Sequence, residues 1–315
     1  MLGLIGMLAA LPALGYALVP RTYDDPDDLY SALRSHAHTR MDFPEGRIDV
    51  AFADGAVGVN RTKVLAWVRR SGTAVATYFG RFPVRHLGLL IVAEDSAKVG
   101  HATTFGYAGS ATRIHVGAAA DDAAFARDWV LVHEMMHSAL PNLPRRALWL
   151  QEGNATYVEP IARAQAGQLP VEDVWRQSVA GMPKGIPHSD DGGMDGTEAW
   201  GRLYWGGATF WLLAEVAIYQ DSKGRFLLRD ALRAINRRSG GNTVEWTPEQ
   251  LMQAGDIATG TTALSKLYAQ FVAGRIDVDL AALFSRLGIL ANAAGDIRFD
   301  DRAPLAELRR SITHA

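Results

Sequence analysis

His133, Glu134 and His137 form a His-Glu-x-x-His pattern, and Glu152 follows it in the stretch Leu148-Trp-Leu-Gln-Glu-Gly-Asn-Ala-Thr-Tyr157. On an α-helix the two histidines lie one turn apart on one face, so both imidazoles can bind one cation. Glu134 then points aside, near enough to reach a water on that cation without being a ligand. A catalytic zinc takes three protein ligands and keeps a fourth position for water, so a third donor is required. Glu152 supplies it best, because a carboxylate inside an apolar helical run must be paired or ligating. The fourteen residues 138–151 suffice to end one helix, turn and bring a second against it. Asp128, five residues before His133, falls on the wrong face and competes poorly. Glu159, seven residues past Glu152 on the same side, can accept the outer N–H of a ligand imidazole or can be an exposed helix-end acid. The alternative to a metal centre is a pair of core histidines with ordinary hydrogen-bond partners.

These residues need two helices to hold them. Phe125, Trp129, Val132, Met136 and Leu140 make the first apolar almost all round, which predicts a central, buried helix starting near Asp121 or Asp122 as caps. Pro141 and Pro144 end it and open a second helix over 145–165. Upstream, a helix is expected over 26–38, strands over 47–52, 86–92 and 113–116, a helix over 61–79 capped by Asn60, and a Gly-rich turn over 104–109. Downstream, helices are expected over 171–180, 203–219, 226–237, 247–254 and 263–273, interrupted by a polar loop over 185–196. The fold class is therefore α+β: a small mixed-sheet lobe over 21–120, a mainly helical lobe over 121–295 carrying the site, and a tail over 296–315. Residues 1–20 are uncharged and mostly apolar, which predicts a signal peptide or membrane anchor and an exported, periplasmic or secreted protein.

Bulk properties narrow the chemistry. Of 315 residues, 48% are hydrophobic and 21% charged, an ordinary globular composition. The net charge of -2 offers no electrostatic reason to bind nucleic acid. With no Cys, any metal must be held by His and carboxylates, and cysteine nucleophiles are excluded. Serine-hydrolase and nucleotide-binding patterns are absent.

His133-Glu-Met-Met-His137 followed by Trp149-Leu-Gln-Glu152-Gly-Asn-Ala155-Thr-Tyr157-Val-Glu159 resembles the gluzincin metallopeptidases, which include the alanyl and glycyl aminopeptidases. The resemblance implies a zincin-like catalytic domain, Zn²⁺ on His133, His137 and Glu152, Glu134 as the base for a zinc-activated water, and Glu159 buttressing a ligand histidine. The connection between His137 and Glu152 is shorter here than in the aminopeptidases. Tyr204-Trp-Gly-Gly-Ala208 resembles the segment that supplies a catalytic tyrosine in those enzymes, so Tyr204 would donate to an oxyanion. In that superfamily a strand before the motif helix lines the cleft, and residues 104–117 would take its place. They contain no acid of the kind that holds a substrate's free amine, so an amine anchor would have to come from elsewhere, with Asp195 and Glu198 as candidates. His101 and His115 could line the cleft or belong to the strand surface. His188-Ser-Asp-Asp191 with Asp195 fits a solvated Asp/Gly loop better than a calcium loop or an active-site lid, and Asn60 and Asn154 fit glycosylation acceptors, the latter inside the presumed zinc helix. The expectation is an exported zinc metallopeptidase acting on a peptide or protein substrate. The alternatives are a non-catalytic zincin-fold binding protein and a zinc hydrolase of a non-peptide substrate.

Overall fold

The computed structural model describes residues 22–186, 192–274 and 277–315. Five strands form one sheet: β1 (His38–Phe43), β2 (Gly46–Phe52), β3 (Leu87–Glu94), β4 (Val99–Phe105) and β5 (Ala111–Gly117), in the order β1-β2-β3-β5-β4. β2, β3 and β5 run parallel, and β1 and β4 pair antiparallel at the two edges. The central strand β3 is a continuous apolar run because both of its faces are covered. Leu89 and Ile91 point with Ile48, Val50, Ile114 and Val116 into the main core, against helix α2 (Arg61–Phe79). Leu90 and Val92 point the other way, under Tyr23, Leu29 and Tyr30 from helix α1 (Pro26–Ser35) and the residues before it.

The chain then turns helical: α3 (Asp122–Arg127), α4 (Val130–His137), α5 (Leu148–Gln165) and α6 (Val171–Gly181), followed by a π-helical turn over Arg202–Gly206 that runs into α7 (Gly207–Asp221). Helices α8 (Leu228–Ser239), α9 (Pro248–Thr259), α10 (Ala263–Val272) and α11 (Leu280–Arg286) follow. The hairpin of β6 (Ile289–Ala291) with β7 (Ile297–Phe299) and helix α12 (Ala306–Thr313) close the chain. The main core continues from the sheet into these helices through Trp149, Phe210, Trp211 and Leu251. The architecture is α+β, a mixed sheet backed by a helical region.

Two expectations change. Edge strands β1 and β4 were not anticipated, since neither alternates cleanly and β4 is nowhere fully buried. The motif helix is also not continuous from Asp121: the chain breaks at Asp128 and Trp129, and α4 holds only eight residues. Buried Asp128 causes the break. Its carboxylate accepts from the backbone N–H of Val130 at 3.0 Å and Leu131 at 3.2 Å, capping α4, and from the Trp67 indole at 3.0 Å, fixing that cap to α2. Among the described residues no helix is long and apolar enough to cross a membrane, and the expected leader over 1–20 lies outside them.

Candidate metal centre

Helix α4 presents His133 from its first turn and His137 from its last, with ring centroids 5.0 Å apart. Helix α5 packs alongside and projects Glu152 between them. Glu152 Oε2 lies 3.3 Å from His133 Nε2 and 3.5 Å from His137 Nε2. One donor atom from each of the three residues lies within 4.8 Å of the others. Burial raises the affinity of the Glu152 carboxyl for a proton, but the two imidazoles outweigh it and hold the group well below the usual carboxylate range. Burial drives the His133 imidazole toward its neutral form. For His137 burial acts in the same direction, but Glu152 prevails and the net shift is upward. Two imidazole nitrogens and a carboxylate oxygen aimed at one point are the donor set of a catalytic Zn²⁺ site, so the residues present fit that ion.

Glu134 is half-buried and opens, with His137 and Glu152, into a cleft of about 410 Å³ that Thr103 and Thr104 of β4 also line. The Thr104 hydroxyl donates to the Glu134 carbonyl oxygen at 3.0 Å and shares a hydrogen bond with Thr112 at 2.9 Å, tying the edge strand to α4. The cleft edge is therefore β4, which overlaps the segment over 104–117 that the sequence suggested only at Thr104 and Phe105, and β4 too contains no acid.

Tyr204 enters the same cleft from the π-helical turn, a distortion that recurs at functional sites. Its ring stacks on His133 with centroids 5.8 Å apart. Burial raises its hydroxyl pKa well above the ordinary value, helped by the charge of Glu152 and a hydrogen bond to it. Two glycines allow this approach. A Cβ on Gly153 would lie 2.3 Å from the Gly207 backbone, and one on Gly207 would lie 2.1 Å from the Trp149 carbonyl oxygen. Helices α5 and α7 thus meet backbone to backbone directly beside Glu152, and the Trp211 indole donates to the Leu150 carbonyl at 2.9 Å across the same contact.

Glu159 does not buttress a ligand. Its buried carboxylate accepts from Arg163 at 2.9 Å, one helical turn on, while His133 Nδ1 is buried with no hydrogen-bond partner. Burial lifts the Glu159 pKa to about 7 although Arg163 opposes it. Asp195 and Glu198 are not among the residues lining the cleft: Asp195 accepts from the Trp149 indole at 2.9 Å and pairs with Arg146, and Glu198 pairs with Arg145. His101 and His115 are likewise absent from its lining. His188–Asp191 lies outside the described residues. Asn60 caps α2, and Asn154 is buried in α5. Sequence reasoning missed Asn142 and Asn242, which reach the cleft from loops that carry no motif. It also missed a second cavity of about 750 Å³ on the other side of His133 and Tyr204, walled by Trp129, Trp200 and Trp205. Trp129 meets His133 edge to face at 5.4 Å and Trp200 stacks on Tyr204 at 5.3 Å.

An aminopeptidase N family protein from Idiomarina loihiensis superposes on this architecture with a TM-score of 0.59, over 81% of this chain and 50% of that one, at 10% identity. The chain shares the fold of the matching half of that protein. The M1 zinc metallopeptidase from Deinococcus radiodurans is also similar, with a TM-score of 0.46 and 17% identity over 77% of this chain and 53% of that one. The chain thus spans about half the length of the solved structures it matches. No protein-family model and no curated protein sequence matches it.

Proposed function

We propose that the chain is a zinc-dependent metallopeptidase that hydrolyses peptide bonds. The observation that carries the reading is the convergence of His133, His137 and Glu152 on one point, with Glu134 and Tyr204 opening into the same cleft. Zn²⁺ held by the three ligands would supply a Lewis acid for the scissile carbonyl and lower the pKa of a water. Glu134 accepts the proton of the attacking water at its carboxylate and returns it to the leaving amine. The Tyr204 hydroxyl, kept protonated by burial and by Glu152, donates to the oxyanion as the carbonyl becomes tetrahedral. Asp128 fixes where α4 begins, and Thr104 fixes how it faces β4.

Glu134→Gln tests the reading. The variant should keep its Zn²⁺ by elemental analysis and lose at least about 100-fold in hydrolysis of mixed peptides, the scale of a lost general base. Native-level turnover by this variant, or by the chelated wild type, would refute the assignment.

A further inference from the structure

A second set of metal-binding side chains lies at the other end of the cleft strand. Asp24, His101 and His115 each offer one donor atom, and these atoms all lie within 4.8 Å of one another. His101 and His115 sit on β4 and β5 with rings stacked 4.1 Å apart and 20° from parallel. A β-bulge produces that stack: the β4–β5 register shifts between Val99 and Ala102, and such an extra residue re-aims a side chain. Gly100 makes the bulge possible, because a Cβ there would lie 2.7 Å from Glu94 Oε1 and 2.9 Å from His115 Cβ. His115 is buried, its Nε2 has no hydrogen-bond partner, and its Nδ1 lies 3.7 Å from Glu94 Oε2. The buried, unpartnered Nε2 is the nitrogen left available to a ligand, while the Glu94 carboxylate stands near the other one beyond hydrogen-bond distance.

We propose that His101, His115 and Asp24 form a second Zn²⁺ site, which clamps the segment before α1 to the sheet. Two imidazoles and one carboxylate suit Zn²⁺ and its transition-metal neighbours rather than Ca²⁺ or Mg²⁺, which prefer all-oxygen shells. Buried Arg113 donates to Asp24 Oδ1, so this carboxylate is held beside the two imidazoles. The guanidinium charge also makes this the weaker of the two sites. His101 precedes Thr104 by three residues, roughly 10 Å along an extended strand, so the clamp would hold the same strand that borders the cleft. Asp24 comes from the residues that cover the second face of the sheet, beside Tyr23.

Zn²⁺ titration of the whole chain, read by equilibrium dialysis, tests this. The wild type should bind two equivalents. His101→Gln, at an exposed position, should bind one and still hydrolyse peptides. The double variant His133→Gln/His137→Gln should bind one equivalent, and adding His101→Gln should leave none. In that double variant Zn²⁺ should also slow amide exchange over Tyr23–Asp25, and should fail to do so once His101 is replaced. No Zn²⁺ bound by a folded His133→Gln/His137→Gln variant, or two equivalents in a folded His101→Gln, would overturn the proposal.

Discussion

Replacing Gly153 by Ala adds one methyl group where α5 and α7 touch. The new Cβ would meet the Gly207 backbone at 2.3 Å, whereas ordinary contact begins near 3.4 Å, so the helices must part by about 1 Å. No side chain can yield there, because the obstructing atoms are backbone. Overpacking of this kind costs about 1–3 kcal/mol of stability, measurable as a lower denaturant midpoint. The larger effect falls on activity. Tyr204 rides on the turn leading into α7, while His133, His137 and Glu152 belong to α4 and α5, so the shift separates the hydroxyl from the ligands without removing any of them. Misplacement by about 1 Å can cost on the order of 100-fold in rate. Gly153→Ala should therefore keep its zinc content and lose about 100-fold in kcat/KM on a peptide substrate. Tyr204→Phe should show a comparable loss, and the double variant should be little worse than either single one, because both remove the same interaction. Wild-type kcat/KM in Gly153→Ala, or full additivity in the double variant, would refute both the close contact and the role of Tyr204.

Arg163→Met strands the Glu159 carboxylate in the core, and should cost about 3–5 kcal/mol in equilibrium unfolding. Asp128→Ala removes the cap of α4 and the acceptor of the Trp67 indole, and should cost about 2–4 kcal/mol by the same measurement. Glu215 is buried between the Tyr157 hydroxyl and the Leu228 N–H, and burial lifts its pKa from 4.5 to about 7. The folded chain therefore keeps a proton that the unfolded chain releases, so this group's contribution falls as pH rises from 4.5 to about 7 and then levels off, by about 3 kcal/mol in all. Glu215→Gln should flatten that part of the stability–pH curve; an unchanged curve would contradict the buried-proton account.

The candidate metal-centre residues were legible because helical periodicity converts spacing into direction: four residues from His133 to His137 is one turn, whatever surrounds it. Asp128 was discounted for the same reason. Counted along a continuous helix it points away, but an Asp before Trp129-Val-Leu-Val is also a start signal, and the chain uses it as one. Glu159 shows the limit of a face argument. It lies on the side of α5 expected from its spacing, yet Arg163 lies one turn on along the same face and takes its charge. Strand β4 was illegible because Val-Gly-His-Ala-Thr-Thr-Phe neither alternates nor runs apolar, as befits a bulged, half-exposed edge. The approach of Tyr204 to Glu152 depends on two glycines 54 positions apart, a coincidence in space that local pattern cannot express.

The tryptophans around the second cavity have an optical consequence. Of the eight in the chain, only Trp129 and Trp200 are exposed, at 50% and 60%, while Trp67, Trp149, Trp175 and Trp211 are buried. Both exposed indoles lie against groups of the candidate metal centre, one on His133 and the other on Tyr204. The long-wavelength, quencher-accessible part of the intrinsic fluorescence therefore originates beside the site, over a background from shielded rings. Occupation of the cavity should shield that component from iodide and shift it to shorter wavelength, so the chain carries its own label for following ligands without an attached dye.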